Sequence, residues 1–155
     1  SLGQGLSIAN GLALSARLNG YGSRVYVLLG DGEIQEGQIW EAAMTASHYG
    51  LDNLVGILDR NRLQIDGHTV DVMSIEPVAE KWRGFGWHTI EVDGHDIGRL
   101  REAFKACKQA KGVPSMIIAH TIKGKGVSIF EGQKKYHGVA PTPEEYHQAL
   151  QELAG

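Results

Sequence analysis

Residues 25–63 read VYVLLGDGEIQEGQIWEAAMTASHYGLDNLVGILDRNRL, and this stretch decides the fold. Two continuous apolar runs, Val25–Leu29 and Leu54–Leu58, lie on either side of a helix-like segment from Ile39 to Tyr49. Apolar runs of this kind are typical of parallel strands that are covered on both faces by helices. The stretch therefore predicts a strand, a helix and a second strand parallel to the first.

The same alternation continues through the rest of the chain. The sequence predicts further helices at 6–18, 77–85, 97–110 and from 143 onward, and further strands at 88–92 and 115–119. This order indicates an α/β fold, with a mostly parallel sheet and helices on both faces, in a single domain spanning residues 1–155. In such sheets, ligands bind beyond the carboxyl ends of the strands.

Composition excludes several classes of protein. A formal net charge of −3 gives no basic face for nucleic acid, and every apolar run is too short to cross a membrane. The single cysteine, Cys107, excludes an internal disulfide and suits a reducing compartment. We therefore expect a cytoplasmic protein without nucleic-acid or membrane partners. Because Ser1 opens directly into helix-forming sequence, we also expect a fragment of a longer polypeptide.

The segment GDGEIQEG at residues 30–37 follows the first predicted strand and carries the first candidate site. A P-loop needs a lysine and a hydroxyl residue after its last glycine, but Gln38 and Ile39 follow Gly37. A dinucleotide-binding loop needs a third glycine at the position of Gln35. Neither of these phosphate-binding loops fits the segment.

The acidity of this segment indicates a metal ion. Asp31, Glu33 and Glu36 would each repel a bare phosphate, by about 1 to 4 kcal/mol per pair at contact distance. A hard divalent cation between them reverses this effect, and Mg²⁺ commonly binds one or two carboxylates together with substrate phosphates. Asp31 is the candidate ligand, and Gly30 and Gly32 allow the backbone to approach the anion closely.

The second predicted strand ends in a matching way. Asn61 follows it, so its side-chain oxygen can reach the same metal ion, and the backbone around Leu63 can offer a carbonyl. An EF-hand does not fit, because Leu63 occupies a ligand position and Val70 stands where the closing glutamate belongs. Alone, Gly-Asp-Gly is more often a tight turn, and a loop asparagine more often bonds its own backbone. Together, at neighbouring strand ends, they predict a diphosphate held by magnesium.

Several segments of the chain resemble one family. The GDG segment with Asn61 resembles the thiamine-diphosphate-binding motif, and the likeness extends to SLGQGLSIANGLALSARL, LLGDGEIQEGQIWEAA, LDRNRLQIDG, EKWRGFGWHTIEVDGHD, HTIKGKGVSIFE and YHGVAP. These segments look like the amino-terminal half of transketolase, in particular the separately encoded section of split bacterial and archaeal enzymes. The resemblance implies the thiamine-diphosphate-binding fold, incomplete at its amino terminus. Arg60 departs from the pattern, since many relatives carry a second asparagine or another small polar residue there.

The resemblance also implies roles for individual residues. Asp31, Asn61 and the carbonyl of Leu63 match the positions that hold magnesium. Gly32 matches a residue against the diphosphate, and Leu2 matches the leucine that contacts the aminopyrimidine ring.

Two further residues match positions nearer the chemistry. Glu36 matches an acidic residue at the subunit interface, within a hydrogen-bonded link toward the partner's catalytic glutamate. His137 matches the histidine beside the diphosphate and the reacting carbon, where imidazole can bond an anionic oxygen and transfer protons near neutral pH. The loop Lys123–Gly126 has two interpretations, a solvated loop or one that closes over the cofactor.

The activity that the resemblance implies is transfer of a two-carbon ketol unit between ketose and aldose phosphates in the pentose phosphate pathway. It implies a pyrimidine-binding section as partner, in a homodimer or heterotetramer, and an isolated chain that is inactive. Two alternatives remain. One is another thiamine-diphosphate enzyme, such as a 2-oxo acid dehydrogenase component or deoxyxylulose-phosphate synthase, and the other is a non-catalytic homologue.

Overall fold

The computed structural model describes residues 2–154; Ser1 and Gly155, the ends of the predicted domain, lie outside the described residues. The helices are α1 Gly5–Leu18, α2 Gly37–His48, α3 Thr69–Val72, α4 Val78–Gly84, α5 Ile97–Gln109 and α6 Pro143–Ala154. The strands are β1 Val25–Gly30, β2 Leu54–Arg60, β3 Leu63–Gln64, β4 Gly67–His68, β5 His88–Asp93 and β6 Ser115–His120. Short 3₁₀ helices lie at Glu33–Gln35 and Lys134–His137.

Four of the strands form one parallel sheet in the order β1-β2-β6-β5. This architecture confirms the predicted α/β fold with a parallel sheet. In the β1–β2 register Gly30 lies opposite Asp59, so the loops after these two strands leave the sheet side by side. The sheet topology alone therefore brings the acidic glycine loop next to Asn61.

Helices pack on both faces of the sheet, as predicted. The larger core lies between the sheet and α1, α2 and α4, and Trp82 is fully buried in it against the rings of Trp40 and Trp87. The smaller core lies on the opposite face under α5, where Ala103 and Cys107 pack among residues of β2, β5 and β6. The predicted cap of α5 is also present, since the side chain of Asp96 accepts a hydrogen bond from the backbone N–H of Arg99 at 3.0 Å.

Two details differ from the sequence prediction. The expectation that β1 is covered on both faces is wrong: Tyr26 and Leu28 are 47% and 69% exposed. The reason is that β1 is an edge strand of the sheet and α5 packs mainly over the other strands. The predicted polar loop at 59–67 is partly regular: Asp59 and Arg60 still belong to β2, and the antiparallel hairpin β3–β4 follows, with Gln64 next to Gly32 in the loop after β1.

Between residues 2 and 154, no helix is long and apolar enough to cross a lipid bilayer.

Leu58 tests the larger core, because its side chain is fully buried in β2, an inner strand of the sheet. We expect Leu58→Ala to lower the free energy of unfolding by about 2 to 5 kcal/mol, since it removes buried apolar surface and leaves a cavity. Urea unfolding followed by tryptophan fluorescence measures this change. The control is Leu18→Ala, because Leu18 is 83% exposed; equal losses for both variants would contradict the described core.

Candidate cofactor site

A cavity of ≈ 450 Å³ opens at the carboxyl ends of β1 and β2. It is lined by backbone and side chains from both strand-end loops, from the start of the chain and from the segment before α6. The structure brings all eight predicted site residues together around this one cavity: Leu2, Gly30, Asp31, Gly32, Glu36, Asn61, Leu63 and His137.

Asp31 is the most buried charged group of the cavity, with 1% of the residue exposed. Its Oδ2 accepts hydrogen bonds from Nη1 of Arg60 at 2.8 Å and from the backbone N–H of Arg62 at 2.5 Å. Its Oδ1 accepts one from the backbone N–H of Gly32 at 2.8 Å. Burial raises the pKa of Asp31 above its usual value, and the hydrogen bonds from Arg60 and Arg62 offset part of that effect.

Arg60 is a residue of the site that sequence reasoning missed. It is 5% exposed, and its guanidinium forms ion pairs with Asp31 and Glu76 and donates to Oγ1 of Thr69 at 3.1 Å. For Glu76, partial burial raises the pKa, but the hydrogen bond from Arg60 and that from the N–H of Val78 outweigh it, so the pKa is lowered. The available signal was a charged residue at the end of an otherwise apolar strand, directly before Asn61.

Asn61 shapes the loop that follows β2. Its Oδ1 accepts a hydrogen bond from the backbone N–H of Leu63 at 2.9 Å, and its Nδ2 donates to Oδ2 of Asp59 at 3.1 Å. Arg62, which lies between Asn61 and Leu63, has a left-handed backbone with φ of 65°. This conformation is uncommon outside glycine and concentrates at functional sites. The resulting turn places Leu63 at the cavity and leaves the amide oxygen of Asn61 with a further lone pair.

Asp59 is a second residue that sequence reasoning missed. Its Oδ2 accepts the hydrogen bond from the amide of Asn61, and its Oδ1 accepts a short hydrogen bond from the hydroxyl of Thr121. Thr121 directly follows β6 and precedes Lys123, which also lines the cavity. The carboxylate therefore joins the loop after β2 to the loop after β6.

Glu33 has a structural role in spite of its charge. Its Oε1 accepts a hydrogen bond from the N–H of Gly3 at 2.9 Å, and its Oε2 accepts one from the N–H of Gly30 at 3.0 Å. This carboxylate ties the start of the chain to the end of β1 and so keeps Leu2 beside the cavity. Gly3 suits the tie, because residues with a side chain rarely adopt its φ of +81° and an added Cβ would lie only 3.0 Å from Cβ of Glu36.

Gly32 lies where the β3–β4 hairpin closes against the first loop. A Cβ at this position would lie 3.0 Å from Cβ of Gln64. Gln64 is held there by a hydrogen bond of 2.6 Å from Nε2 of Gln35 to its Oε1. The backbone at Gly32 is therefore bare on a wall of the cavity, as close contact with an anion requires.

His137 and Glu36 are exposed residues on the cavity lining. The segment that carries His137 is anchored to α6 by Glu145, which accepts hydrogen bonds from the N–H of Thr142 at 2.8 Å, the hydroxyl of Tyr136 at 2.8 Å and Nζ of Lys135 at 3.0 Å. This anchor holds Lys135 and Tyr136, the two residues before His137, against the start of α6.

The donor atoms of the cavity fit a hard cation better than a soft one. Among the residues from 2 to 154, no group of three or more His, Cys, Asp and Glu side chains could hold a metal ion by itself. What the cavity offers is a carboxylate, an amide oxygen and a loop backbone, the oxygen donors that leave positions open for water and phosphate on Mg²⁺. Asp59 and Asp66 add to the acidity of the lining, so a bare diphosphate would be repelled there.

Comparison with known proteins identifies the family of the chain. A family model described as "Transketolase, thiamine diphosphate binding domain" matches residues 1–154. The chain belongs to the transketolase family. The resemblance expected from the sequence is thereby confirmed, and transketolase is favoured over the other thiamine-diphosphate enzymes.

Two curated relatives indicate how much of a transketolase the chain represents. An apulose-4-phosphate transketolase subunit of Phocaeicola vulgatus is 45% identical over 154 residues, which is 99% of this chain and 55% of that protein. The 6-deoxy-6-sulfo-D-fructose transketolase subunit SqwG of a Clostridium species is 46% identical over 153 residues, 99% of this chain and 56% of that protein. The chain spans about half the length of these curated relatives.

Solved transketolases share the fold. The enzyme of Campylobacter jejuni superposes with a TM-score of 0.92 at 31% identity, over 99% of this chain and 25% of that one. The enzyme of Leishmania mexicana does so with a TM-score of 0.89 at 35% identity, over 99% of this chain and 24% of that one. The α/β architecture predicted from sequence is therefore that of transketolase.

Glu145 provides a test of the anchor beside His137. Its pKa is lowered to about 2, first by the backbone hydrogen bond from Thr142 and then by Lys135 and Tyr136. Because the folded pKa lies below the ordinary value of 4.5, the anchor stays intact from neutral pH down past 4.5 and is lost as pH falls toward about 2.

We expect Glu145→Gln to speed backbone amide exchange in residues 134–142 at pH 7, measured by hydrogen–deuterium exchange mass spectrometry.

The control for this measurement is Glu144→Gln on the same helix, which leaves the three bonds in place. Exchange in 134–142 that rises equally in both variants, or in neither, would contradict an anchor at Glu145.

Proposed function

We propose that this chain holds the diphosphate half of thiamine diphosphate through Mg²⁺, and serves ketol transfer between ketose and aldose phosphates together with a pyrimidine-binding section. The observation that carries the proposal is the convergence of Asp31, Asn61 and Leu63 on one cavity at two neighbouring strand ends. The family description supports the cofactor, since the matching domain is a thiamine-diphosphate-binding one.

The residues of the chain divide the work of binding. Asp31 Oδ1, Asn61 Oδ1 and the carbonyl of Leu63 would hold the metal ion, and the backbone at Gly30 and Gly32 would lie against the diphosphate. Leu2 is 62% exposed at the cavity, so its side chain is available to an aromatic ring. The bound cofactor supplies the carbanion chemistry of its thiazolium ring.

Two residues would act outside cofactor binding, one in proton transfer and one at the interface with the pyrimidine-binding section. His137 would hydrogen-bond an anionic oxygen of the substrate and exchange a proton with it. Glu36 is exposed before α2 and would reach the pyrimidine-binding section across an interface. Two relatives are named as subunits of a transketolase, which supports a separate partner section and assembly as a heterotetramer; a homodimer is the corresponding form if the sections are fused.

The residues that determine sugar specificity are proposed to lie mostly in other parts of the enzyme. The relatives at 45% and 46% identity are named for different substrates, apulose 4-phosphate and 6-deoxy-6-sulfo-D-fructose. Nearly equal similarity to both fits a section that anchors the cofactor while other parts select the sugar. For this chain we propose sugar phosphates, a place in the pentose phosphate pathway and, given the single cysteine, a cytoplasmic location.

Asp31→Asn tests the metal site directly. The amide keeps the shape of the carboxylate but removes its charge, so we expect Mg²⁺-dependent binding of thiamine diphosphate to be abolished. Isothermal titration of the assembled enzyme, this chain with its pyrimidine-binding section, measures the binding at several Mg²⁺ concentrations. Asp66→Asn is the matched control, because Asp66 lines the same cavity but has no proposed role in metal binding. Unchanged binding in Asp31→Asn would remove Asp31 from the site.

His137→Asn tests the proposed proton transfer. We expect kcat for ketol transfer to fall by about 10²- to 10⁴-fold, the usual contribution of a positioned acid or base, with a smaller change in cofactor affinity. Steady-state assays and cofactor titrations on the same preparations separate the two effects. His48→Asn, an exposed substitution on α2, is the control. Loss of cofactor affinity with an unchanged kcat would assign His137 to binding alone.

A further inference from the structure

The side-chain amide of Asn61 is held at both of its ends. Its Oδ1 accepts a hydrogen bond from the backbone N–H of Leu63 at 2.9 Å, and its Nδ2 donates to Oδ2 of Asp59 at 3.1 Å. An amide has an acceptor at one end and a donor at the other, so it matches these two partners in one orientation only. Both contacts therefore select the same orientation of the amide.

This orientation matters because Asn61 lines the cavity at the ends of β1 and β2. In the observed orientation the amide oxygen keeps a lone pair beyond the one that Leu63 uses. A rotation of the amide by half a turn would put the NH₂ group in the place of the oxygen, and this group only donates hydrogen bonds. The rotated amide could not bind Mg²⁺, which takes oxygen ligands.

Asp59 opposes this rotation more strictly than an uncharged partner would. An ionised carboxylate only accepts hydrogen bonds, so rotation would bring the amide oxygen of Asn61 against a carboxylate oxygen. A hydroxyl or an amide at position 59 could donate as well as accept, and it would tolerate both orientations. The carboxylate is itself held in place, because its Oδ1 accepts a hydrogen bond from the hydroxyl of Thr121.

We infer that Asp59 is a positioning residue that keeps the amide oxygen of Asn61 directed toward the metal ion. This inference rests on the function proposed above, which assigns the metal ion to this cavity. Asp59 acts through its hydrogen bond to Nδ2 and needs no contact with the metal ion. Because β2 and β6 are paired with Asp59 opposite Ala119, the loop after β6 brings Thr121 to the same carboxylate.

The negative charge of Asp59 is a second way in which this residue could favour a cation, without orienting any ligand. Asp66 lines the same cavity, so Asp66→Asn measures the effect of removing one negative charge there. Asn61→Asp separates orientation from charge, because a carboxylate has an oxygen at both ends and can bind a cation in either orientation. In that background, Asp59 has no amide left to orient.

The test uses the assembled enzyme, this chain with its pyrimidine-binding section. Thiamine diphosphate binding is titrated with MgCl₂, and the Mg²⁺ concentration at half-saturation is recorded for Asp59→Ala with and without Asn61→Asp. For Asp59→Ala alone we expect this concentration to rise by about 10- to 100-fold, the usual effect of losing a group that orients a metal ligand. When Asn61→Asp is already present, we expect that adding Asp59→Ala causes no rise, since no orientation is lost.

Thr121→Val provides a milder variant in case Asp59→Ala folds poorly, which thermal unfolding of each variant reports. It removes the hydroxyl that holds the carboxylate of Asp59 and leaves the hydrogen bond between Asp59 and Asn61 in place. We expect a smaller rise of the Mg²⁺ concentration at half-saturation than for Asp59→Ala. This rise should also disappear when Asn61→Asp is present.

The outcomes separate the inference from the function on which it rests. A rise for Asp59→Ala that exceeds the rise for Asp66→Asn and is rescued by Asn61→Asp supports the inference. A rise that Asn61→Asp does not rescue, or one no larger than for Asp66→Asn, overturns the inference and leaves the proposed function standing. If wild type shows no cofactor binding that depends on Mg²⁺, the proposed function fails and the inference fails with it.

Discussion

The parallel pairing of β1 with β2 is the constraint on which the site depends. With Gly30 opposite Asp59, both strands deliver their following loops to the same edge of the sheet, and no long-range adjustment is needed to bring Asp31 and Asn61 to one cavity. The helix α2 between the strands satisfies the crossover that parallel strands require. The backbone topology alone thus brings together the two loops that form the site.

A buried negative charge is what the loops then have to stabilise. Asp31 is almost inaccessible, and an unpaired carboxylate in that position would be strongly unfavourable. Its partners come from three places: the N–H of Gly32 beside it, the side chain of Arg60 at the end of β2, and the N–H of Arg62 in the next loop. The left-handed backbone of Arg62 therefore has a physical reason, because it accompanies a donor pointed at this carboxylate.

The strands, the helices and the residues lining the cavity could be predicted from the sequence, because they depend on the periodicity of apolar residues and on the strand topology. It did not find Arg60, Asp59 or Glu33 as partners. A charged residue at a strand end has the same appearance in a sequence whether it faces solvent or a second charge, and only the three-dimensional pairing distinguishes the two. The exposure of Tyr26 and Leu28 was missed for a related reason. An apolar run indicates that a strand can be buried, but the position of the strand in the sheet determines whether it is buried.

That uncovered strand has a consequence for handling the protein. From Val25 to Gly30, β1 has no charged residue and no proline, and among residues 2–154 it pairs only with β2. Natural sheets protect such edges with lysine, proline, bulges or a covering element, since an open apolar edge accepts strands from other chains. The same segment that leads into the candidate site therefore presents an open apolar edge to which a strand of another chain can pair, so an element that covers this edge also protects the polypeptide from self-association.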